Sequence, residues 1–127
     1  MSETARITIA KPPSEVWALV GEFGGLDEWM AGVEACTVEG DVRTVHTMGM
    51  VITERLVGRD EAARAITYSI VGEGAPVSAH EATISVLDAP EGSEVTWEVA
   101  VEPAEAEGMF RDIYQGALGA LKDHLEA

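Results

Sequence analysis

Apolar and polar residues alternate along most of the chain, and this pattern predicts a sheet. From Val33 to Glu102 the sequence falls into short runs with a period of two, separated by turn signals such as Gly40-Asp41 and Pro90 to Gly92. An earlier run, Thr4 to Ala10, alternates more weakly and stops at Lys11-Pro12-Pro13. The predicted strands cover residues 4–10, 33–39, 42–48, 50–58, 63–71, 77–88 and 93–102.

Helical spacing replaces the alternation in two parts of the chain. After the prolines, apolar residues recur every three to four positions up to Phe23, Gly24-Gly25 ends this helix, and residues 26–30 fit a second short one. The tail carries one long apolar stripe, made of Met109, Phe110, Ile113, Tyr114, Ala117, Leu118, Leu121 and Leu125. We expect this long helix to cover the inner face of the sheet, with a cavity between them.

Length, charge and cysteine content narrow the class of protein. The 127 residues suffice for one domain, which we place at residues 1–127. A formal net charge of −15 disfavours nucleic acids and anionic membranes, since both would repel the protein. The single cysteine excludes an internal disulfide, and the sequence shows neither a signal peptide nor a membrane span. We therefore expect a cytoplasmic protein, monomer or homodimer, that does not insert into membranes.

The alternation places a few polar residues on the predicted inner face. His80 is the polar residue on a face that otherwise carries Ala82 and further apolar residues. Tyr68 shares a face with Ile70, and Trp97 lies in a row of valines. A histidine in such a position fits three roles: a cavity wall without catalysis, a structural residue, or a proton donor and acceptor.

Two glutamates extend this set of inward polar residues. Glu34 shares a predicted face with Cys36 and Val38, although its place at the start of the strand is also compatible with exposure. Strand 50–58 is ambiguous, because the faces that contain Glu54 and Thr53 are similarly apolar. Periodicity alone leaves the orientation of both glutamates open.

Seven segments follow one another over nearly the whole chain in an order typical of a known superfamily. They are KPPSEVWALVGEF, WMAGVEACTVEG, VRTVHTM, ITERLVGRDEAARAITYSIV, APVSAHEATISV, EVTWEVAVEP and FRDIYQGALGALKDHL. In this order they resemble the helix-grip, START-like (SRPBCC) superfamily, in its bacterial polyketide cyclase/dehydrase and lipid-transport branch. The resemblance implies an α+β fold. In it, a seven-stranded curved antiparallel sheet wraps around a long C-terminal helix, with two short helices after the first strand.

The resemblance also implies a ligand site between the sheet and the C-terminal helix. It matches pocket positions of the superfamily to Ile52 and Glu54, and thus favours an inward Glu54. Together with the strand faces, it gives a full set of expected ligand-contacting residues. These are Glu34, Val45, Thr47, Ile52, Glu54, Tyr68, Ile70, His80, Ala82, Trp97, Phe110, Tyr114 and Ala117.

Apolar walls with a few polar groups are typical of a small-molecule site, so the leading hypothesis is binding of a small hydrophobic or aromatic molecule. One alternative is a cyclase or dehydratase acting on a polyketide-like carbonyl. In that case His80 and Glu54 would transfer protons and Tyr68 would stabilise an oxyanion. A second alternative is an accessory protein that acts through a protein partner. We expect no cofactor and no metal, because the histidines lack ligand spacing and Cys36 has no CxxC partner.

Overall fold

The computed structural model describes residues 2–30, 32–47, 49–71 and 79–127. The strands are β1 (Glu3–Ile9), β2 (Val33–Glu39), β3 (Val42–Thr47), β4 (Met50–Asp60), β5 (Ala65–Val71), β6 (Ala79–Ala89) and β7 (Gly92–Glu102). The helices are α1 (Pro13–Val20), α2 (Leu26–Trp29) and α3 (Glu107–Glu126), and a 3₁₀ turn at Ala104–Ala106 precedes α3. In these ranges no helix is both long and apolar enough to cross a membrane.

The strands form one antiparallel sheet in the order β1-β7-β6-β5-β4-β3-β2. Successive strands of β2 to β7 pair with each other, and only the β1–β7 pair joins distant parts of the chain. Helix α3 packs against β1 and β7, and α2 packs against β2. Bulges in β2 and β4 interrupt the regular pairing of these strands. The predicted α+β helix-grip plan is confirmed.

The predicted boundaries hold to within a few residues. Helix α1 begins at Pro13, whose fixed φ suits the first helical turn, but it ends at Val20 and not at Phe23. Gly92 closes the β6–β7 hairpin with a φ of +141°, and a Cβ there would lie 2.7 Å from the Ile9 carbonyl oxygen. Glycine is thus required where this hairpin meets the end of β1. Residues 72–76, which the sequence predicts as a turn between strands 63–71 and 77–88, and the start of the second of these strands lie outside the described residues.

The stripe on α3 is narrower than the sequence indicates. Its buried apolar residues are Phe110, Tyr114, Ala117, Leu118 and Leu121. Met109 and Ile113, which we predicted in the same stripe, are 50% and 42% exposed. Since α3 contacts the sheet mainly through β1 and β7, residues at the margin of the stripe extend past the contact surface.

Candidate functional site

His80 lies at the centre of a buried network of hydrogen bonds. Strand β6 directs it inward, opposite Val101 of β7, and only 5% of the residue is exposed. Its Nδ1 accepts the backbone N–H of Ile70 at 3.1 Å. The neutral ring must therefore carry its proton on Nε2, which donates to the Tyr114 hydroxyl at 2.8 Å. Both ring nitrogens are engaged within the protein.

The network continues through aromatic side chains between the sheet and α3. The Tyr114 hydroxyl hydrogen-bonds to that of Tyr68, which also accepts the Trp97 indole N–H at 3.1 Å. The rings of Trp97 and Tyr114 are stacked, with centroids 4.0 Å apart and planes 2° from parallel. Phe110 packs on His80 with a centroid distance of 5.2 Å. These rings occupy the space under α3 where the sequence predicted a cavity.

Burial keeps this network uncharged at neutral pH. Removal of water lowers the pKa of His80 to about 4, and a backbone hydrogen bond of His80 itself only partly opposes this shift. Burial also raises the pKa of both Tyr68 and Tyr114 well above the usual tyrosine range. His80 is therefore a neutral imidazole in one tautomer, and the two hydroxyls keep their protons.

Acidification is expected to destabilise the fold through His80. The unfolded imidazole takes up a proton below about pH 6.5, whereas the folded one resists protonation until about pH 4. Between these values the unfolded state binds more protons, so the free energy of unfolding falls as the pH falls. The loss is at most about 3.5 kcal/mol, since one pKa unit corresponds to about 1.4 kcal/mol. Urea unfolding at a series of pH values between about 4 and 6.5 measures this loss in the free energy of unfolding.

An asparagine at position 80 separates this effect from other titrations. In His80→Asn, the side-chain oxygen can still accept the Ile70 N–H, but the group does not titrate. We expect a flatter pH dependence of stability than in the wild type. His46→Asn, at an exposed position of β3, is the matched control. Equal slopes for the wild type and His80→Asn would contradict the assignment.

A buried ion pair lies on the same inner face, closer to α2. Arg43 and Glu54 are direct neighbours in the β3–β4 register, and Arg43 Nε donates to Glu54 Oε1 at 2.7 Å. Arg43 Nη1 donates to the Phe23 carbonyl at 2.9 Å, and its guanidinium lies 4.4 Å from the Phe23 ring centroid and 4.8 Å from that of Tyr68. Burial raises the pKa of Glu54, and the charge and hydrogen bond of Arg43 oppose the rise.

The pocket beside this ion pair is small. Its volume is about 10 Å³, which is room for about one water molecule. The lining residues are Val20, Glu22, Leu26, Trp29, Arg43, Ile66, Tyr68 and Ile84. This pocket cannot hold an organic ligand unless side chains move.

A larger open cleft lies where β6 begins, β7 ends and α3 begins. Its volume is about 360 Å³, within the usual range of about 300–1,000 Å³ for small-molecule sites. The lining residues are Ala79, His80, Glu81, Ala100, Val101, Glu102, Ala104 and Glu107. Glu107 is 4% exposed, and its Oε2 accepts the backbone N–H of Val101 at 3.2 Å. His80 thus connects the cleft to the aromatic network.

Most of the expected site residues lie on the inner face, but few reach open space. The buried ones are Val45, Thr47, Glu54, Tyr68, His80, Ala82, Trp97, Phe110, Tyr114 and Ala117, while Ile52 and Ile70 are half-buried. Thr47 donates its hydroxyl to the Gly32 carbonyl at 2.8 Å. Of the expected set, His80 lines the cleft and Tyr68 lines the small pocket. Their roles in ligand contact stay predictions.

The inward orientation considered for Glu34 is wrong. Val33 pairs with Thr47, but Ala35 pairs with His46, so a bulge at Glu34 breaks the alternation. Glu34 is exposed, while Cys36, beyond the bulge, faces the buried Val45. Glu54 faces inward, which resolves the ambiguity of its strand.

The sequence reasoning missed Arg43 and Glu107. Arg43 has the same parity on β3 as Val45 and Thr47, so the alternation already indicates an inward side chain. Glu107 lies one helical turn before Phe110 on the buried side of α3. Both are charged residues at positions where the pattern indicates burial. Within the described ranges, no group of three or more histidine, cysteine or acidic residues could hold a metal ion.

Similarity to known proteins is clearest at the level of family and fold. A search of curated proteins finds no significant match. Among solved structures, an uncharacterised protein from Bacillus thuringiensis is 28% identical over 100% of both chains, with a TM-score of 0.91. XoxI from Bacillus cereus is also 28% identical, over 97% of this chain and 92% of XoxI, with a TM-score of 0.84.

A third structure shows a likeness of fold alone. The di-domain ARO/CYC protein BexL of the BE-7585A biosynthetic pathway is 20% identical, with a TM-score of 0.81. The match covers 99% of this chain and 46% of BexL. The family model described as polyketide cyclase/dehydrase and lipid transport matches residues 2–126. Because this match spans nearly the whole sequence, the chain belongs to the polyketide cyclase/dehydrase and lipid transport family.

Proposed function

We propose that this protein binds a small, largely apolar or aromatic molecule in the cleft beside His80. The observation that carries the proposal is the cleft of about 360 Å³ at the ends of β6 and β7. Half of its described lining residues are alanine or valine, and the polar ones are His80 and three glutamates. Apolar walls of this kind provide affinity, and the polar groups fix the orientation of a ligand. Membership in a family described as acting in lipid transport is consistent with such binding.

The contacts of His80 and Glu54 favour binding over catalysis. The structure pairs Glu54 with Arg43, whereas His80 bonds to Tyr114 and to the Ile70 amide. A general base works best with a pKa near the working pH, and burial lowers the pKa of His80 to about 4. We therefore do not extend the proposal to a proton transfer between these two residues.

The proposal includes the cellular context expected from the sequence. It places the protein in the cytoplasm, without a nucleic-acid partner, as a monomer or homodimer. The support is the net charge of −15 and the single cysteine. Of the thirteen expected contact residues, His80 is the one that also lines this cleft.

Titration with 1-naphthylmethanol tests the proposal. We expect saturable shifts of backbone amide signals in ¹H–¹⁵N correlation spectra, clustered at residues 79–81, 100–102 and 104–107. Ala100→Phe should weaken binding at least about tenfold, because the ring fills part of the cleft from an exposed position. Ala62→Phe, in the exposed turn between β4 and β5, is the matched control. Saturable shifts at other residues, with none at the cleft, would refute the proposal.

A further inference from the structure

Glu107 brings a buried carboxylate to the wall of the cleft. The residue is 4% exposed, yet it lines the cleft, and its Oε2 already accepts the Val101 amide at 3.2 Å. No described residue donates to its other oxygen, Oε1. In that part of the chain, no enclosed side-chain oxygen lacks a hydrogen-bond partner. Since Glu107 lines the cleft, Oε1 is the acceptor that it can offer to a ligand there.

The position of Glu107 explains why the fold tolerates this carboxylate without a basic partner. Glu107 is the first residue of α3, where the partial positive charge of a helix N-terminus stabilises an anion. The Val101 amide holds one oxygen and thereby fixes the direction of the other. These contacts stabilise the charge, and among the described residues none donates to Oε1, so a ligand can supply a donor.

The charged residues in the described lining of the cleft are all acidic. Its described lining contains three glutamates, Glu81, Glu102 and Glu107, and neither lysine nor arginine. The protein as a whole carries a formal net charge of −15. A carboxylate ligand such as a fatty acid would be repelled by the glutamates of the cleft and by the net charge of the protein, whereas a cation would be attracted.

We propose that the ligand of this cleft carries a protonated amine, which donates a hydrogen bond to Glu107 Oε1 while its apolar body packs on the alanine and valine side chains. The inference rests on the proposed function and narrows its ligand class to cationic amphiphiles. It depends on the direction of one carboxylate oxygen and on the sign of the surrounding charge. Both can be tested separately from binding itself.

Three probes with one aromatic body test the inference on the intact protein. They are 1-naphthylmethylamine, 1-naphthylmethanol and 1-naphthoate, which are cationic, neutral and anionic near neutral pH. We expect the amine to bind about tenfold more tightly than the alcohol, as for a hydrogen bond to a charged group. The naphthoate should bind more weakly than the alcohol. Calorimetry gives the affinities, and amide shifts at residues 100–107 locate the site.

The variant Glu107→Gln removes the charge but keeps an oxygen that can accept the Val101 amide. We expect the advantage of the amine over the alcohol to fall below about threefold, since the charge-assisted bond is lost. Glu39→Gln, an equal charge change at the exposed end of β2, should preserve the advantage. If Glu107→Gln does not fold, the order of the three probes on the wild type decides.

The outcomes separate this inference from the proposed function. If none of the three probes shifts the cleft amides saturably, the proposed function itself fails. If the alcohol or the naphthoate binds as tightly as the amine, binding stands and the cationic ligand class is refuted. An advantage of the amine that persists in Glu107→Gln would overturn the role of Glu107.

Discussion

Replacement of Glu54 by leucine is expected to lower the free energy of unfolding by about 3–5 kcal/mol, because it leaves the Arg43 charge buried without its partner. Arg43 is enclosed by the rings of Phe23 and Tyr68, so its charge cannot reach water without a rearrangement of the core. Urea unfolding, with the slope checked for two-state behaviour, measures the loss.

A double-mutant cycle separates the pair from its surroundings. Arg43→Met in the background of Glu54→Leu removes the orphaned charge, and we expect it to restore most of the stability, since apolar replacement of a whole buried pair is often neutral. Arg59→Met breaks the exposed Arg59–Glu61 pair and should cost less than about 1 kcal/mol. If the single and double variants were equally unstable, the ion pair would not be the cause.

Trp97→Ala should also destabilise the protein by about 3–5 kcal/mol, the usual range for a large aromatic residue removed from a core. Trp97 is 1% exposed, stacks on Tyr114 and donates its indole N–H to Tyr68. Its loss opens a void between the sheet and α3 and frees a buried hydroxyl acceptor. Thermal and urea unfolding both give the change.

Trp97→Phe is the control for this prediction. It keeps a ring against Tyr114 but removes the donor to Tyr68, so we expect less than half of the loss seen for alanine. A loss for Trp97→Ala below about 1.5 kcal/mol would contradict a well-packed interior. It would indicate that the space under α3 is loosely filled and open to ligands.

The packed interior has a consequence for where a ligand binds. Helix α3 and the sheet enclose stacked rings and a buried ion pair, and the internal pocket has room for about one water molecule. Among the described residues, the larger open space lies instead at one end of the sheet, where β6, β7 and the start of α3 meet. A ligand there contacts the core through His80 and does not need to displace it.

The sequence alone predicted the strands, the helices and their order. Strand alternation and the stripe on α3 depend on local geometry, with a side-chain period of two or 3.6 residues, so the chain itself carries this information. The same patterns placed His80, Tyr68 and Trp97 inside. The resemblance supplied the sheet wrapped around the C-terminal helix, and the seven-stranded antiparallel order confirmed it.

Periodicity gave a wrong orientation where the backbone departs from regularity, and two buried charged residues were overlooked although their positions indicated burial. A one-residue bulge turned Glu34 outward, and no local signal marks such an insertion. Arg43 and Glu107 had inward positions, but their charges argued for exposure. Partners distant in the chain compensate the loss of water, chiefly Glu54 for Arg43 and the Val101 amide of β7 for Glu107.

The sequence by itself thus determined the fold class and most of the inner face. The tertiary structure decided how much of the interior is filled, which polar groups pair, and where open space is left. Those properties depend on the packing of residues distant in the chain, such as Trp97 on Tyr114 and Arg43 on Phe23. A hydrophobic pattern with a period of two or 3.6 residues carries no information about such contacts, since the volume that side chains fill and their hydrogen-bond partners are properties of the assembled core.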